Sequence, residues 1–164
     1  MITNLISIDT QSSKIKIRNC ALADLRRVEE VERLSFEDPY PLSLFQRFLK
    51  EFPRGFRVAT LRGVVVGYCV LVPAKEIDQS SWLIASIAID PDYRRTRIGT
   101  QLIEDAISIA RASDWSEAKQ VKLQVRVNNE VAIALYSKIG FRKKSIISDY
   151  YGWGKDALEM SFEL

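Results

Sequence analysis

The chain predicts an α/β fold built on a mixed, mostly antiparallel sheet of about seven strands flanked by about four helices. Three observations predict it. Two β-branched runs, Phe56 to Leu61 and Val64 to Val72, stand around the turn signal Arg62-Gly63, and Trp82 to Ile89 follows, so three strands form an antiparallel meander. The third strand passes through Asp90-Pro91-Asp92 into a helix whose Ile98, Leu102, Ala106 and Ile109 recur every three to four residues. Beyond that helix Val121 to Val127 alternates apolar residues with Lys122, Gln124 and Arg126; a strand, helix, strand passage of this length implies a parallel pair with a right-handed crossover.

The remaining elements follow from local patterns. Lys14 to Arg18 alternates charged and β-branched residues and reads as the first strand. Asn19 is expected to cap a helix carrying the stripe Leu22, Leu25, Val28, Val31 and Leu34, with Arg26, Arg27, Glu29, Glu30 and Glu32 as a solvated face. Ser35 to Pro41 breaks that helix, and Ser43 with Gln46 reads as a capping box for a second one through Phe45, Phe48, Leu49 and Phe52. Lys75 to Ser80 is a polar connection. The helix from Ile98 ends around Ala112 to Asp114. Asn129 is expected to cap a fourth helix through Ala132, Leu135 and Tyr136, ended by Gly140, and Phe141 to Ile147 and Ala157 to Phe162 supply the last strands around Asp149 to Asp156.

A chain of 164 residues, 47% of them hydrophobic, suits one domain over residues 14–164, preceded by a tail or extra strand over 1–13. A net charge of +3 is too mild for a nucleic-acid partner, and the arginines cluster in one turn rather than along a stripe. Cys20 and Cys69 are far apart, Cys69 lies in an apolar run, and the count of histidines is 0, so neither a disulfide nor a metal site is expected. Met1 to Ser13 lacks the pattern of a signal peptide, and no later stretch reaches the ~18 apolar residues of a membrane span. These features lead to the expectation of a soluble, cytoplasmic protein without a membrane partner.

Arg94, Arg95 and Arg97 sit beside the start of the helix at Ile98, with Gly99 in its first turn. Free backbone N–H groups, a partial positive charge and room for close approach make this a cradle for a polyphosphate. The segment Tyr93-Arg94-Arg95-Thr96-Arg97-Ile98-Gly99-Thr100 resembles the pyrophosphate loop of the GNAT superfamily of N-acetyltransferases. A second segment, Asn129-Glu130-Val131-Ala132-Ile133-Ala134-Leu135-Tyr136 followed by Gly140-Phe141, is similar to the family's downstream motif. Within the family, the Val-Arg-Val-Asn-Asn segment, Phe36 to Pro41 and the pair Tyr150-Tyr151 look most like the RimI-type and NatA-type protein N-terminal acetyltransferases.

The resemblance implies acetyl-CoA as co-substrate, held between two parallel strands that splay apart. It assigns Ile87, Ala88 and Ile89 to the pantetheine and acetyl carbonyl, residues Arg94, Arg95, Thr96, Arg97, Ile98, Gly99 and Thr100 to the pyrophosphate, and Asn129, Ala132 and Tyr136 to the cofactor face of the fourth helix. It makes Tyr136 the candidate acid for the leaving thiolate, against the plain alternative of a core aromatic. Phe36, Glu37, Tyr40, Gln124, Tyr150 and Tyr151 become candidates for contact with the acceptor, a protein or peptide N-terminus. A homo-oligomer and an auxiliary subunit both remain open.

Two departures from the family pattern matter. Gln124 stands where RimI-type enzymes carry a glutamate, and a glutamine accepts no proton, so Glu37 leads as candidate base, with Tyr150 or Tyr151 as organisers of a water. Reference pKa values leave about a quarter of α-amines but only about one lysine in a thousand neutral at pH 7.4, and a weak base therefore favours an α-amine acceptor. Arg97 stands where the motif has its first glycine; the backbone N–H survives the change. The competing readings are acetylation of a lysine or small amine, and an acetyl-CoA-binding scaffold with lost catalysis.

Overall fold

A computed structural model describes residues 14–74 and 79–164. The expected tail or extra strand over 1–13, and residues 75–78 of the polar connection, lie outside the described residues. Strand β3 (Val64–Pro73) is apolar almost without alternation because it is covered on both faces, and it is an interior strand, third in order, of one seven-stranded sheet. Its neighbours are β2 (Phe56–Leu61) and β4 (Ser81–Ile89), both antiparallel to it, as the meander predicts. β1 (Lys16–Asn19) extends the β2 edge, and β5 (Gln120–Arg126), β7 (Ala157–Glu163) and β6 (Arg142–Ile147) continue beyond β4 in the order β1-β2-β3-β4-β5-β7-β6.

Helices α1 (Leu25–Ser35) and α2 (Leu42–Glu51) cover one face of the sheet, packing Leu25, Val28, Val31 and Phe45 on Phe56, Val58, Tyr68 and Val70. Helices α3 (Ile98–Arg111) and α4 (Glu130–Ile139) belong to the other, where Ile98, Leu102, Ile103, Ala106 and Tyr136 share a core with Val66, Cys69, Leu71, Leu123 and Met160. Burying each large aliphatic side chain stabilises the fold by about 1.5–3 kcal/mol, and the two layers hold the sheet between helices on both faces. Cys20 and Cys69 are buried free thiols. Among the described residues no helix is long and apolar enough to cross a membrane.

The one parallel contact is short. β4 and β5 pair only at Ser81–Gln120, Trp82–Val121 and Leu83–Lys122, although β4 runs on to Ile89 and β5 to Arg126. β5 keeps its pairing with β7 along its whole length, and β4 keeps its pairing with β3. A bulge in β4, where the register shifts between Val70 and Leu71, bends the strand away. The two strands therefore splay, which periodicity did not show and the resemblance implied.

Three local expectations are corrected. Asn19 ends β1 and accepts from Arg57 Nη1; the turn before α1 is closed instead by Asp24, whose Oδ2 accepts from the Ala21 N–H at 2.8 Å. Ser43 lies inside α2, which starts after Pro41 in an extended conformation with no side-chain cap. Leu22 and Leu34 are exposed at 74% and 53%, while Glu32 is buried at 2%. Steps of three residues drift by roughly 60° each on a helix, so Leu34 points about 120° away from Val28, and Glu32, four residues after Val28, takes the buried place.

Candidate active site

The residues expected to meet the donor lie on the turn between β4 and α3. Arg95 and Arg97 both adopt left-handed backbone conformations, with φ of 61° and 66°, and Arg97 is the residue preceding the first turn of α3. The left-handed conformation explains why the family motif places a glycine there. No backbone acceptor takes the N–H groups of residues 95 to 100 among the described residues, so consecutive donors line the helix start. Left-handed residues beside a helix N-terminus form an anion concavity, and this geometry fits a pyrophosphate.

The three arginines are not equivalent. Arg94 turns back, donating from Nε to the Ile89 carbonyl at 3.2 Å and from Nη2 to Ser35 Oγ at 3.3 Å, so its side chain ties the turn to β4 and α1. Arg95 and Arg97 are exposed. Thr96 Oγ1 donates to the Tyr93 carbonyl, and Asp90 Oδ1 accepts from the Asp92 N–H at 2.9 Å, which closes the turn. A Cβ at Gly99 would touch Leu135 Cδ2 at 3.4 Å, so the start of α3 lies directly on α4.

On α4, Asn129 Oδ1 accepts from the Ala132 N–H at 3.2 Å, the cap that the spacing predicts, and Gly140 ends the helix at φ 121°. Tyr136 is 9% exposed and packs its ring 6.0 Å from Phe141. Burial pushes its phenol well above the usual range, and Cys69 and Tyr151 add to the shift. Its hydroxyl thus keeps its proton at neutral pH.

The residues expected to meet the acceptor come from two loops and one strand. Gln124 and Arg126 lie on the face of β5 opposite to the buried Leu123 and Val125. From the loop between β6 and β7, Tyr150 donates to Gln124 Oε1 at 3.4 Å and Tyr151 donates to the Gln124 carbonyl at 3.0 Å. The two rings meet edge to face at 4.9 Å, and the Arg126 guanidinium lies 5.4 Å from the Tyr151 ring centre. Burial raises both phenols, Tyr151 to about 12, so neither accepts a proton near neutrality. From the loop between α1 and α2, Tyr40 stacks edge on to Phe45 and lies within electrostatic reach of Tyr150 and Tyr151. Phe36 is 44% exposed at the rim.

Glu37 joins the two loops. Its Oε2 accepts from Arg126 Nη2 and from Lys155 Nζ, each at 3.4 Å, and these cations hold its carboxyl below the usual range. A carboxylate so paired is a poor proton acceptor. It ties the loop between α1 and α2 to β5 and to the loop between β6 and β7.

Two carboxylates that sequence reasoning passed over stand here. Glu159 on β7 faces Gln124, accepting from Nε2 at 3.3 Å, and pairs with Lys122 Nζ at 3.6 Å. Glu32, read as part of a solvated helix face, is buried: Tyr68 donates its hydroxyl to Oε2, the Tyr40 N–H donates to Oε1 at 2.9 Å, and Ser86 Oγ lies 2.7 Å from the Tyr68 hydroxyl. Desolvation raises its carboxyl above the usual range. Arg27, on the same supposed face, binds Asp90 and the Val65 carbonyl. The available signal for Glu32 was its spacing of four from Val28; Glu159 carried only its strand alternation.

Residues 22–141 match the acetyltransferase (GNAT) family. A protein of Sulfurisphaera tokodaii named N-alpha-acetyltransferase is 35% identical, over 94% of this chain and 96% of that protein. The N-alpha-acetyltransferase RimI of Mycobacterium tuberculosis is 30% identical, over 84% and 85%. Among solved structures, Ard1 from Thermoplasma volcanium superposes with a TM-score of 0.82 at 27% identity, covering 92% of this chain and 97% of that one. With its parted parallel strands, its left-handed basic turn and a family match across most of its length, the chain belongs to the GNAT family of acetyltransferases.

Proposed function

We propose that this acetyltransferase moves the acetyl group of acetyl-CoA to the α-amino group of a protein or peptide N-terminus. The observation that carries the reading is the entrance itself: Phe36, Glu37 and Tyr40 on one loop and Tyr150 and Tyr151 on another flank the Gln124 face of β5, beside the opening between β4 and β5. An entrance walled by two loops and rimmed with aromatics suits an extended peptide end. The relatives named N-alpha-acetyltransferase support the same acceptor.

Transfer forms a bond between the amine nitrogen and the acetyl carbon and breaks the thioester carbon–sulfur bond; the amine gives up a proton and the thiolate gains one. The backbone of Ile87 to Ile89, on the stretch of β4 that has left β5, polarises the acetyl carbonyl, and residues 95 to 100 bind the pyrophosphate through their N–H groups. Tyr136 donates a hydrogen bond to the developing thiolate. Its raised pKa makes full transfer to a thiol of ordinary pKa ~8.5 uphill, so it stabilises the leaving thiolate by a hydrogen bond, and the proton that completes the thiol comes from solvent water.

For the amine proton, Glu159 is the acceptor in this proposal, through water: it faces one cation, Lys122 Nζ at 3.6 Å, where Glu37 is held by two at 3.4 Å, and Gln124 keeps the carboxylate in position. Glu37 clamps the loops. An α-amine, already about a quarter neutral at pH 7.4, needs no stronger base than this, whereas a lysine does.

The test uses purified protein, labelled acetyl-CoA and two matched peptides, one with a free N-terminus and no lysine, the other N-blocked with one internal lysine. Label on the first alone is the expected result. Equal or faster labelling of the second would overturn the α-amine reading.

A further inference from the structure

Glu32 is the only buried carboxylate on α1 among the described residues, and no step above uses it. Burying an ionisable group is costly unless its oxygens are bonded, and here both are. One oxygen takes the Tyr40 N–H, which belongs to the entrance loop. The other takes the Tyr68 hydroxyl, which in turn meets Ser86 on β4 at 2.7 Å. Ser86 lies in the stretch of β4 that has left β5, one residue before Ile87. A single carboxylate thus links the acceptor loop to the strand that faces the donor.

We infer that Glu32 is a positioning residue, setting the distance between the Tyr40 loop and the free edge of β4 and so the fit of the acceptor end in the entrance. The inference rests on the reading of this entrance as the acceptor site. Three features of the link support it. The loop between α1 and α2 is short, so fixing the Tyr40 N–H fixes where Phe36 to Pro41 cross the entrance. The Tyr40 ring is held independently against Phe45, so backbone and side chain are anchored to different elements. Tyr68 is wholly buried and packed edge on to Phe45 and close to Phe56, so it transmits a fixed distance rather than a mobile one.

A carboxylate in this role is replaceable by its amide. Glu32→Gln keeps an oxygen for the Tyr40 N–H and turns an N–H toward the Tyr68 hydroxyl, which accepts in place of donating. Glu32→Ala removes both bonds. Tyr68→Phe leaves the Tyr40 bond and removes the Tyr68 bridge, which weakens the link to β4 while Ser86 still reaches Glu32.

The test measures kcat, peptide KM and acetyl-CoA affinity for wild type and the three variants, with an α-amine peptide as acceptor. The expected result is a peptide KM raised tenfold or more in Glu32→Ala, raised less in Tyr68→Phe and held within about threefold in Glu32→Gln, with kcat and acetyl-CoA affinity near wild type throughout. Intact acetyl-CoA affinity also reports that a variant has folded, and Tyr68→Phe covers the case in which Glu32→Ala does not. Unchanged peptide KM in both disruptive variants would overturn the inference, as would parallel losses in acetyl-CoA affinity and peptide KM, or a fall in kcat that Glu32→Gln fails to rescue. A wild-type enzyme that leaves the α-amine peptide unlabelled would instead overturn the acceptor reading beneath it.

Discussion

Gln124 donates its side-chain amide to Glu159 across 3.3 Å, which joins a strand position without a base to a carboxylate one strand away. Because β5 and β7 pair in register at these two residues, the carboxylate faces the same side of the sheet as Gln124, Tyr150 and Tyr151. Glu159→Gln is expected to lower kcat/KM for an α-amine peptide about tenfold at neutral pH, with acetyl-CoA affinity unchanged, since general-base assistance is worth a factor of this order or more. Steady-state rates with one peptide check it. An unaltered rate would remove Glu159 from the proton path.

Arg97 sits at φ 66°, a conformation that costs a non-glycine residue about 1–2 kcal/mol. Arg97→Gly removes that strain and enlarges the freedom of the unfolded chain by about 0.4–1 kcal/mol, which offsets the gain only in part. Acetyl-CoA affinity within a few fold of wild type is expected, with a melting temperature equal to or slightly above it. Arg97→Val, a β-branched residue forced to positive φ, is expected to lower the affinity at least tenfold. Titration of acetyl-CoA into each variant separates backbone from side chain: a collapse in Arg97→Gly would make the guanidinium itself a phosphate ligand.

Tyr136→Phe keeps the ring packed against Phe141 and removes only the hydroxyl. Binding of acetyl-CoA should persist while kcat falls by one to two orders of magnitude, on the order of 1.4–2.7 kcal/mol of transition-state stabilisation. Equilibrium binding and turnover on the same preparation decide it.

The legible parts of this chain were those where local sequence and global fold agree. Strand order in the meander, the crossover helix and the Asn129 cap follow from periodicity and turn residues, because each is determined within a few residues along the chain. The clustering of Arg94, Arg95 and Arg97 in the turn before α3 was legible, yet the return of Arg94 to Ile89 and Ser35 was not, since the choice between solvent and the protein's own carbonyl is made by tertiary neighbours. Glu32 was hidden for a different reason. Its bonding partners come from a loop and two strands that sequence alone does not bring together, and its charge made it look solvated. Glu159 was concealed by register, which no single strand reveals.

Glu32 also gives a dependence of stability on pH. Its folded pKa is raised, so the folded state favours the protonated form; the stability it contributes is fully present below the unfolded carboxylate value of about 4.3 and is lost as pH rises through the folded pKa. Glu32→Gln carries no such titration. The melting temperature of Glu32→Gln relative to wild type should therefore climb as pH is raised from about 4 toward neutrality. A difference that stays constant across that range would mean that Tyr40, Tyr68 and Ser86 compensate the buried charge in full.

Glu37 titrates in the opposite sense and at the surface. Its folded pKa is lowered by Lys155 and Arg126, so the clamp is present above the ordinary carboxylate range and is lost as pH falls through the depressed value. Exposed ion pairs contribute little to global stability, and Glu37→Gln should leave the melting temperature unchanged. The effect belongs to the acceptor: the clamp joins the Phe36 to Tyr40 loop to Lys155 of the β6–β7 loop, and losing it should raise the peptide KM several fold while the acetyl-CoA affinity holds. Salt offers an independent check. Raising the ionic strength screens these pairs, so wild type should approach Glu37→Gln in peptide KM as salt increases, while the variant, with no clamp to screen, responds less. Equal salt responses in the two proteins would show that Glu37 meets the peptide without bracing the loops.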